Sequence, residues 1–118
     1  MDELILRDER EGVVTLTLNN PARRNPISDP ATIDAFCDAI TAADRDIAVR
    51  VVILTGAGKA FSTGGDIAAM REGGGLNASL PADTRRNYRH GIQRLPLLFE
   101  SIEVPVIAAV NGAAIGAG

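Results

Sequence analysis

Two glycine-containing segments, each following an apolar run typical of a β-strand, constrain the fold of this chain more than any other feature. The first is 60–67 (AFSTGGDI), after the run 51–55; the second is 111–118 (NGAAIGAG), after the run 106–110. Small side chains let a backbone come close to another group, because a Cβ branch would block the approach. If the two turns meet, they can present two bare N–H groups to an oxygen that develops negative charge.

Hydrophobic patterning around these turns predicts alternating strands and helices in one domain spanning 1–118. Predicted strands are 4–6, 13–18 with Val14, Leu16 and Leu18 on one face, 51–54 covered on both faces, and a buried strand at 106–110. Predicted helices are 30–44, capped by Asp29 with Pro30 first, a short one at 67–71, and 84–101 with a break at Pro96. A polar turn at 8–12 joins the first two strands, and the glycine-rich segment 72–82 is predicted to be a mobile loop. This order predicts an α/β fold, in which ligand sites lie beyond the carboxyl ends of the strands.

Composition excludes several function classes. A net charge of −3 and 3% aromatic residues give no attraction for nucleic acid or an anionic membrane and little material for stacking on bases. One cysteine, Cys37, cannot form an internal disulfide and fits a reducing compartment, and no zinc-type spacing suggests a metal. The N-terminus lacks the apolar core of a signal peptide, and no run approaches the about 20 apolar residues of a membrane span. We therefore expect a soluble, cytoplasmic chain without a bound metal.

Three generic motifs were tested against the glycine turns and the residues near them. A phosphate-binding Walker A loop at 56–59 fails, because Ile53 stands where its first glycine belongs and Ala60 follows Lys59. A dinucleotide fingerprint would have to begin at Gly116 and Gly118, which leaves a nucleotide-cofactor domain as a weaker alternative. Ser62 lies on no nucleophile elbow, so a Ser–His–Asp arrangement is not predicted.

Three motifs occur in one order along the chain: NNPARRN at 19–25, AFSTGGDI at 60–67, and PVIAAVNGAAIGAG at 105–118. Together they resemble the crotonase (enoyl-CoA hydratase/isomerase) superfamily over the whole chain. The resemblance implies the N-terminal part of a crotonase-like (ββα) spiral fold. The glycine-rich insert after Met70 looks longer than in many relatives, which leaves the preferred acyl chain open.

The resemblance also implies a chemistry. Crotonases bind an acyl-CoA thioester and polarise its carbonyl oxygen with two backbone N–H groups, which by motif position belong to Gly65 and Ala117. Coenzyme A is then part of the substrate, and no further cofactor is expected. The residues expected to hold its nucleotide end are Ala22, Arg23, Arg24, Thr63, Gly64, Asp66 and Ile67, with Lys59 as another cation near the phosphates.

The residues themselves suggest plainer roles beside these. Asp66 is expected to cap the short helix, and Asn25 to be a turn or capping residue. The pair Arg23 and Arg24 fits a solvated loop as well as a phosphate clamp. His90 lies among arginines on a predicted exposed helix, which does not favour a catalytic role, and Cys37 falls on the apolar face of its helix.

The acid/base carboxylates that the resemblance implies come after the second turn, beyond Gly118. A polypeptide complete at that residue is predicted not to catalyse alone and to expose apolar surface. The chain is therefore predicted to be part of an enoyl-CoA hydratase or isomerase. The complete protein is expected to form homo-oligomers (trimers or hexamers) or to pair with a second chain. The alternatives are a non-catalytic CoA-binding or assembly subunit and another crotonase-type reaction, such as thioester hydrolysis.

Overall fold

The computed structural model describes residues 3–71 and 75–118 and has the mixed α/β architecture predicted from the sequence. Its strands are β1 (Ile5–Arg10), β2 (Val13–Leu18), β3 (Val51–Gly56), β4 (Ala60–Ser62), β5 (Val106–Ala108) and β6 (Ala113–Ala114). Its α-helices are α1 (Pro30–Arg45), α2 (Ile67–Met70), α3 (Pro81–Arg89) and α4 (Arg94–Ser101), and a 3-10 turn covers Pro21–Arg23.

The larger sheet has the order β1-β2-β3-β5, with an antiparallel β1–β2 hairpin and parallel β2–β3 and β3–β5 pairs. The predicted polar turn at 8–12 is too long, because β1 continues through Arg10 and only Glu11 and Gly12 form the turn of the hairpin. Their φ angles of 51° and 82° are both left-handed. Two-residue turns of that kind match the twist of the flanking strands, so polar residues 8–10 remain in the ladder.

The core lies between the sheet and α1. Inward residues of β2 and β3 pack against the apolar face of α1, with Leu95 of α4 closing one side. Phe36 and Phe99 meet edge to face, their ring centroids 5.8 Å apart. The predicted cap is confirmed: the Thr32 amide donates to Asp29 Oδ2 over 3.0 Å. Cys37 is buried in this core, as predicted.

Two predictions about strand burial are wrong. In β3, buried residues alternate with partly exposed ones, so one face is covered less than the other. The predicted buried strand at 106–110 is shorter, and its Ile107 and Val110 are 57% and 56% exposed. Within the described residues, β5 is an edge strand paired on one side alone, so a run of apolar residues there does not mean burial.

The predicted helix 84–101 is two helices, α3 and α4, separated at 90–93. The break precedes Pro96, which occupies the first turn of α4, where a missing N–H costs nothing. The predicted loop 72–82 ends earlier, because α3 begins at Pro81. Residues 72–74 of that loop lie outside the described residues, and Leu76 just after them is buried, with its amide donating to Ala69 O over 2.9 Å.

Candidate active site

A second, two-stranded sheet brings the two glycine turns together. Strands β4 and β6 pair in parallel, and the Ile115 amide donates to Ser62 O over 3.0 Å. The turns then approach so closely that a methyl group on Gly64 would lie 2.8 Å from the amide nitrogen of Ala117. Gly64 also has a φ of +75°, so glycine is required there both for space and for backbone conformation.

In the first turn, the amides on both sides of Gly65 have acceptors. Thr63 N–H donates to Arg24 O over 3.0 Å, and Gly64 N–H donates to Ser62 Oγ over 3.0 Å. Asp66 N–H donates to Ser28 Oγ over 2.8 Å. Among the residues that the structure describes, the Gly65 N–H donates no hydrogen bond. One donor in this turn is therefore left over.

The direction of that donor is fixed by its own peptide group. Ile27 N–H donates to Gly64 O over 2.9 Å, which anchors the carbonyl of the Gly64–Gly65 peptide. In a planar trans peptide the N–H points away from the C=O, so the Gly65 N–H is directed away from Ile27. Gly65 lines a cavity in the described part of the chain.

The second turn leaves a donor as well. Gly118 N–H donates to Ile115 O over 2.8 Å and closes a turn around Gly116 and Ala117. Within residues 3–71 and 75–118, the Ala117 N–H has no acceptor, and Ala117 lines the same cavity as Gly65. Two residues from different turns, each with an amide that donates no hydrogen bond among the described residues, thus line one cavity.

The cavity has a volume of about 1420 Å³ and is open on one side. The two turns, α2, and the sides of α3 and α4 that face the cavity contribute to its walls. Most of the lining side chains are apolar. The charged residues that line it are Arg23, Asp66, Arg85 and Arg89. Such a space exceeds the 300–1,000 Å³ range typical of small-ligand pockets.

Asn25 holds the first turn in place through hydrogen bonds. This role is larger than that of the turn or capping residue predicted from the sequence. It is 1% exposed and has a left-handed φ of 57°. Its Nδ2 donates to Ala57 O and Ala60 O, both over 3.0 Å, and to Phe61 O over 3.3 Å. Its backbone carbonyl accepts from Ser62 Oγ over 2.8 Å. Asn25 therefore fixes the β3–β4 connection and β4 against the segment 24–28.

Asn111 ties the second turn to the same connection. Its Oδ1 accepts from the Gly56 amide over 3.1 Å, and its Nδ2 donates to Gly58 O over 3.1 Å and to Ala60 O over 3.3 Å. The Ala60 carbonyl thus accepts from both Asn25 and Asn111. The two turns share one support, and each is fixed relative to it by an asparagine.

The residues predicted to hold coenzyme A are only partly brought together. Arg23, Thr63, Asp66 and Ile67 line the cavity, whereas Ala22, Arg24 and Gly64 are not among the residues that do. The Arg23 guanidinium donates to Asp66 Oδ2 over 2.9 Å, and Asp66 Oδ1 accepts from the Ala68 amide over 3.0 Å. The predicted helix cap at Asp66 is confirmed, and its pairing with Arg23 joins the 3-10 turn to α2.

Three supporting side chains escaped the sequence analysis: Ser28, the hydroxyl of Ser62, and Asn111. The Ser62 hydroxyl is 1% exposed and engaged on both sides, which suits a support rather than a nucleophile. No local pattern distinguishes these residues, because the partner of Ser28 is Asp66 and the partners of Asn111 lie at 55–60.

His90 is exposed and borders a neighbouring groove, not the cavity. Across the described parts of the chain, no three His, Cys, Asp or Glu side chains are clustered in a way that could hold a metal ion.

Comparison with known proteins places the chain in a family. The family model described as enoyl-CoA hydratase/isomerase matches residues 8–118. A crotonyl-CoA hydratase of Syntrophomonas wolfei is 37% identical over 98% of this chain and 42% of its own length. A 1,2-epoxyphenylacetyl-CoA isomerase of Escherichia coli is 37% identical over 100% of this chain and 44% of its own.

Solved structures agree. The crystal structure of an enoyl-CoA hydratase from Bacillus anthracis superimposes with a TM-score of 0.82 at 32% identity, covering 98% of this chain and 43% of that one. The chain thus spans less than half the length of the proteins that it matches. A family match from residue 8 onward, with the fold to accompany it, means that the chain belongs to the enoyl-CoA hydratase/isomerase (crotonase) family.

Proposed function

We propose that this chain binds an acyl-CoA thioester and polarises its carbonyl oxygen with the Gly65 and Ala117 N–H groups, as part of an enoyl-CoA hydratase or isomerase. The observation that supports this most is the pair of amides without acceptors in one cavity. Gly65 is half-buried and Ala117 is exposed, so water satisfies both amides in the free protein and a ligand oxygen would take the place of that water.

Polarising the carbonyl is catalysis because the charge on that oxygen grows during the reaction. Adding water to an enoyl thioester, or removing a proton next to the carbonyl, moves negative charge onto the thioester oxygen. Donors already held in position stabilise that charge more than they stabilise the neutral ground state. The hydrogen bonds around Gly65 fix its orientation before any ligand arrives, so little reorganisation is needed.

The nucleotide end of coenzyme A belongs, in this proposal, beside the 3-10 turn Pro21–Arg23. Ala22 and Arg24 are exposed there, and Lys59 is an exposed cation. Arg23 already has a carboxylate partner in Asp66, so its first role is to join this turn to α2. Arg24 is the better candidate of the two arginines for a phosphate contact.

The proposal assigns carbonyl polarisation to this chain and leaves proton transfer to other groups. Asp66 is the sole carboxylate among the described residues that line the cavity, and Arg23 and the Ala68 amide occupy its oxygens. We further propose that the whole protein is cytoplasmic and homo-oligomeric, as a trimer or hexamer. The free Cys37 and the exposed Ile107, Val110 and Ile115 support these two points.

Replacing Gly65 with proline tests the proposal, because proline removes the N–H. The control is Gly65→Ala, which keeps the N–H and adds a methyl that meets only the flexible end of Met70. The readout is the infrared stretch of a ¹³C-labelled thioester carbonyl bound to the protein, which moves to lower frequency when the oxygen accepts hydrogen bonds. We expect Gly65→Ala to retain most of that shift and Gly65→Pro to lose much of it.

In the active protein, turnover should fall by on the order of 10²–10³ in Gly65→Pro, the usual cost of losing one such donor. Circular dichroism establishes that the variant is folded. A folded Gly65→Pro protein with an unchanged carbonyl stretch and unchanged turnover would exclude Gly65 from the mechanism.

A further inference from the structure

The charges that line the cavity do not balance. Arg23 and Asp66 form an ion pair, but Arg85 and Arg89 have no carboxylate within 4.0 Å among the described residues. Among the described residues that line the cavity, three arginines and one aspartate leave a local surplus of two positive charges, in a chain whose net charge is −3. A cleft of opposite sign to the whole molecule concentrates anions where it opens.

Arg85 and Arg89 lie on one face of α3. Arg85, Tyr88 and Arg89 are spaced i, i+3, i+4 and therefore share that face, and all three line the cavity. Arg86 belongs to another face and borders the neighbouring groove, with Asn87 and His90. The positive charge on the cavity wall thus comes from two defined side chains.

The wall next to this face is apolar except for Gln93. Ile92, Leu95, Pro96 and Phe99 line the cavity where α3 gives way to α4. A ligand lying along both helices would meet hydrocarbon over one part of its length and guanidinium groups over another. A plain fatty acyl chain uses the first part and leaves the second unused.

We propose that the acyl group of the substrate ends in a carboxylate, which Arg85 and Arg89 bind with Tyr88 beside them. This inference rests on the proposed function, since it takes the thioester carbonyl to lie at Gly65 and Ala117 and the nucleotide at Ala22–Arg24. The acyl group then extends along the remaining wall, which α3 and α4 form. Guanidinium and carboxylate make short, charge-assisted, often bidentate hydrogen bonds, which matches two arginines one helical turn apart.

The test compares acyl-CoA esters that differ only at the far end of the acyl group. Glutaryl-, adipoyl- and suberyl-CoA carry a terminal carboxylate where pentanoyl-, hexanoyl- and octanoyl-CoA carry a methyl group. Dissociation constants are measured by calorimetry for the unaltered protein and for Arg85→Gln, Arg89→Gln and Arg86→Gln. The three chain lengths allow for the unknown reach from the thioester to α3.

We expect at least one dicarboxylic ester to bind about tenfold more tightly than its neutral counterpart, since these arginines are partly in water and their attraction is screened. Arg85→Gln and Arg89→Gln should remove that preference without changing the affinity for the neutral ester. Arg86→Gln should leave both affinities unchanged. The preference should also shrink as salt is raised.

Two results would overturn the inference while leaving the proposed function intact. In one, neutral and dicarboxylic esters bind equally well and still show the shifted carbonyl stretch. In the other, Arg85→Gln and Arg89→Gln weaken both series equally, which means that these arginines meet the CoA phosphates. If no ester of either series binds, the proposed function fails and this inference fails with it.

Discussion

The two turns supply one donor each, yet they are built differently. The first, at 62–66, is fixed by buried side chains: Ser62 and Asn25 are each 1% exposed, and Ser28 is 6% exposed. The second, at 115–118, is largely exposed, and its contacts are the β6 pairing, one internal turn bond and the side chain of Asn111. The first amide is positioned by a buried polar network, and the second by contact with the first turn.

Because of this difference, the position of the second turn depends on the position of the first. Losing a buried hydrogen bond leaves a desolvated group without a partner, which costs about 1–3 kcal/mol, whereas an exposed group finds water instead. Damage to the first turn should therefore displace both donors. Damage to the second should displace Ala117 alone.

The largest effect is expected where the two turns touch. In Gly64→Ala, the new methyl would lie 2.5 Å from Ile115 O and 2.8 Å from Ala117 N, on a residue whose φ is +75°. Neither backbone atom can move without separating the turns, so we expect a loss of about 3 kcal/mol or more in the free energy of unfolding. Denaturant unfolding measures it.

Gly65→Ala is the matched control for that measurement, because its methyl meets the movable end of Met70. It should cost less than about 1 kcal/mol. If Gly64→Ala and Gly65→Ala are equally stable, the turns are not packed as the structure has them.

The next effect concerns the support under the first turn. Asn25→Ala removes an amide that donates to three carbonyls, in two buried bonds and one partly buried bond. It also puts alanine, which tolerates a left-handed φ less well than asparagine does, at a φ of 57°, so a loss of about 2–3 kcal/mol is expected. Asn25→Gly loses the same bonds but tolerates the φ angle, so the difference between the two variants isolates the backbone contribution. Unfolding free energies no lower than in the unaltered protein would contradict a supporting role.

A smaller effect is expected at the second turn. Asn111→Ala exposes its former partners to water, so stability should fall by no more than about 1 kcal/mol. The bound thioester carbonyl should nevertheless lose part of its infrared shift, since Ala117 is less well positioned. If that shift is unchanged, or if Asn111→Ala destabilises the protein as much as Asn25→Ala, the two turns do not differ as described.

The smallest effect uses the single cysteine as a reporter. Burial raises the pKa of the Cys37 thiol, so its thiolate fraction at neutral pH is lower than that of a free thiol. Because the thiolate is the form that reacts, alkylation should become fast only at higher pH or on unfolding. Because Asn25 supports the turn next to this core, Asn25→Ala should speed labelling at pH 7, and Asn111→Ala should not. Equal labelling rates in the two variants would contradict the proposed difference between the two turns. Complete labelling in denaturant is the control.

How well the sequence predicts a structural feature of this protein depends on whether the residues that form the feature are neighbours in the chain. Asp29 and Asp66 were recognised as helix caps because a cap and its helix are adjacent in sequence. The break between α3 and α4 was misplaced, because Pro96 tolerates the first turn of a helix and the chain had already turned at 90–93. The burial of 106–110 was wrong for another reason: hydrophobicity says what a strand can pack against, not whether a neighbour is present.

The order of its motifs, by itself, indicated the family of this protein and, through that resemblance, the two residues proposed to polarise the carbonyl, because each motif consists of residues that are neighbours in the chain. Only the tertiary structure decided which amides remain without acceptors and how the turns are supported. Those outcomes depend in large part on hydrogen bonds between residues more than 30 positions apart, such as Asp66 to Ser28 and Asn111 to Ala60, and no local pattern encodes such pairs. The same holds for Arg85 and Arg89, whose position beside the cavity follows from where α3 packs.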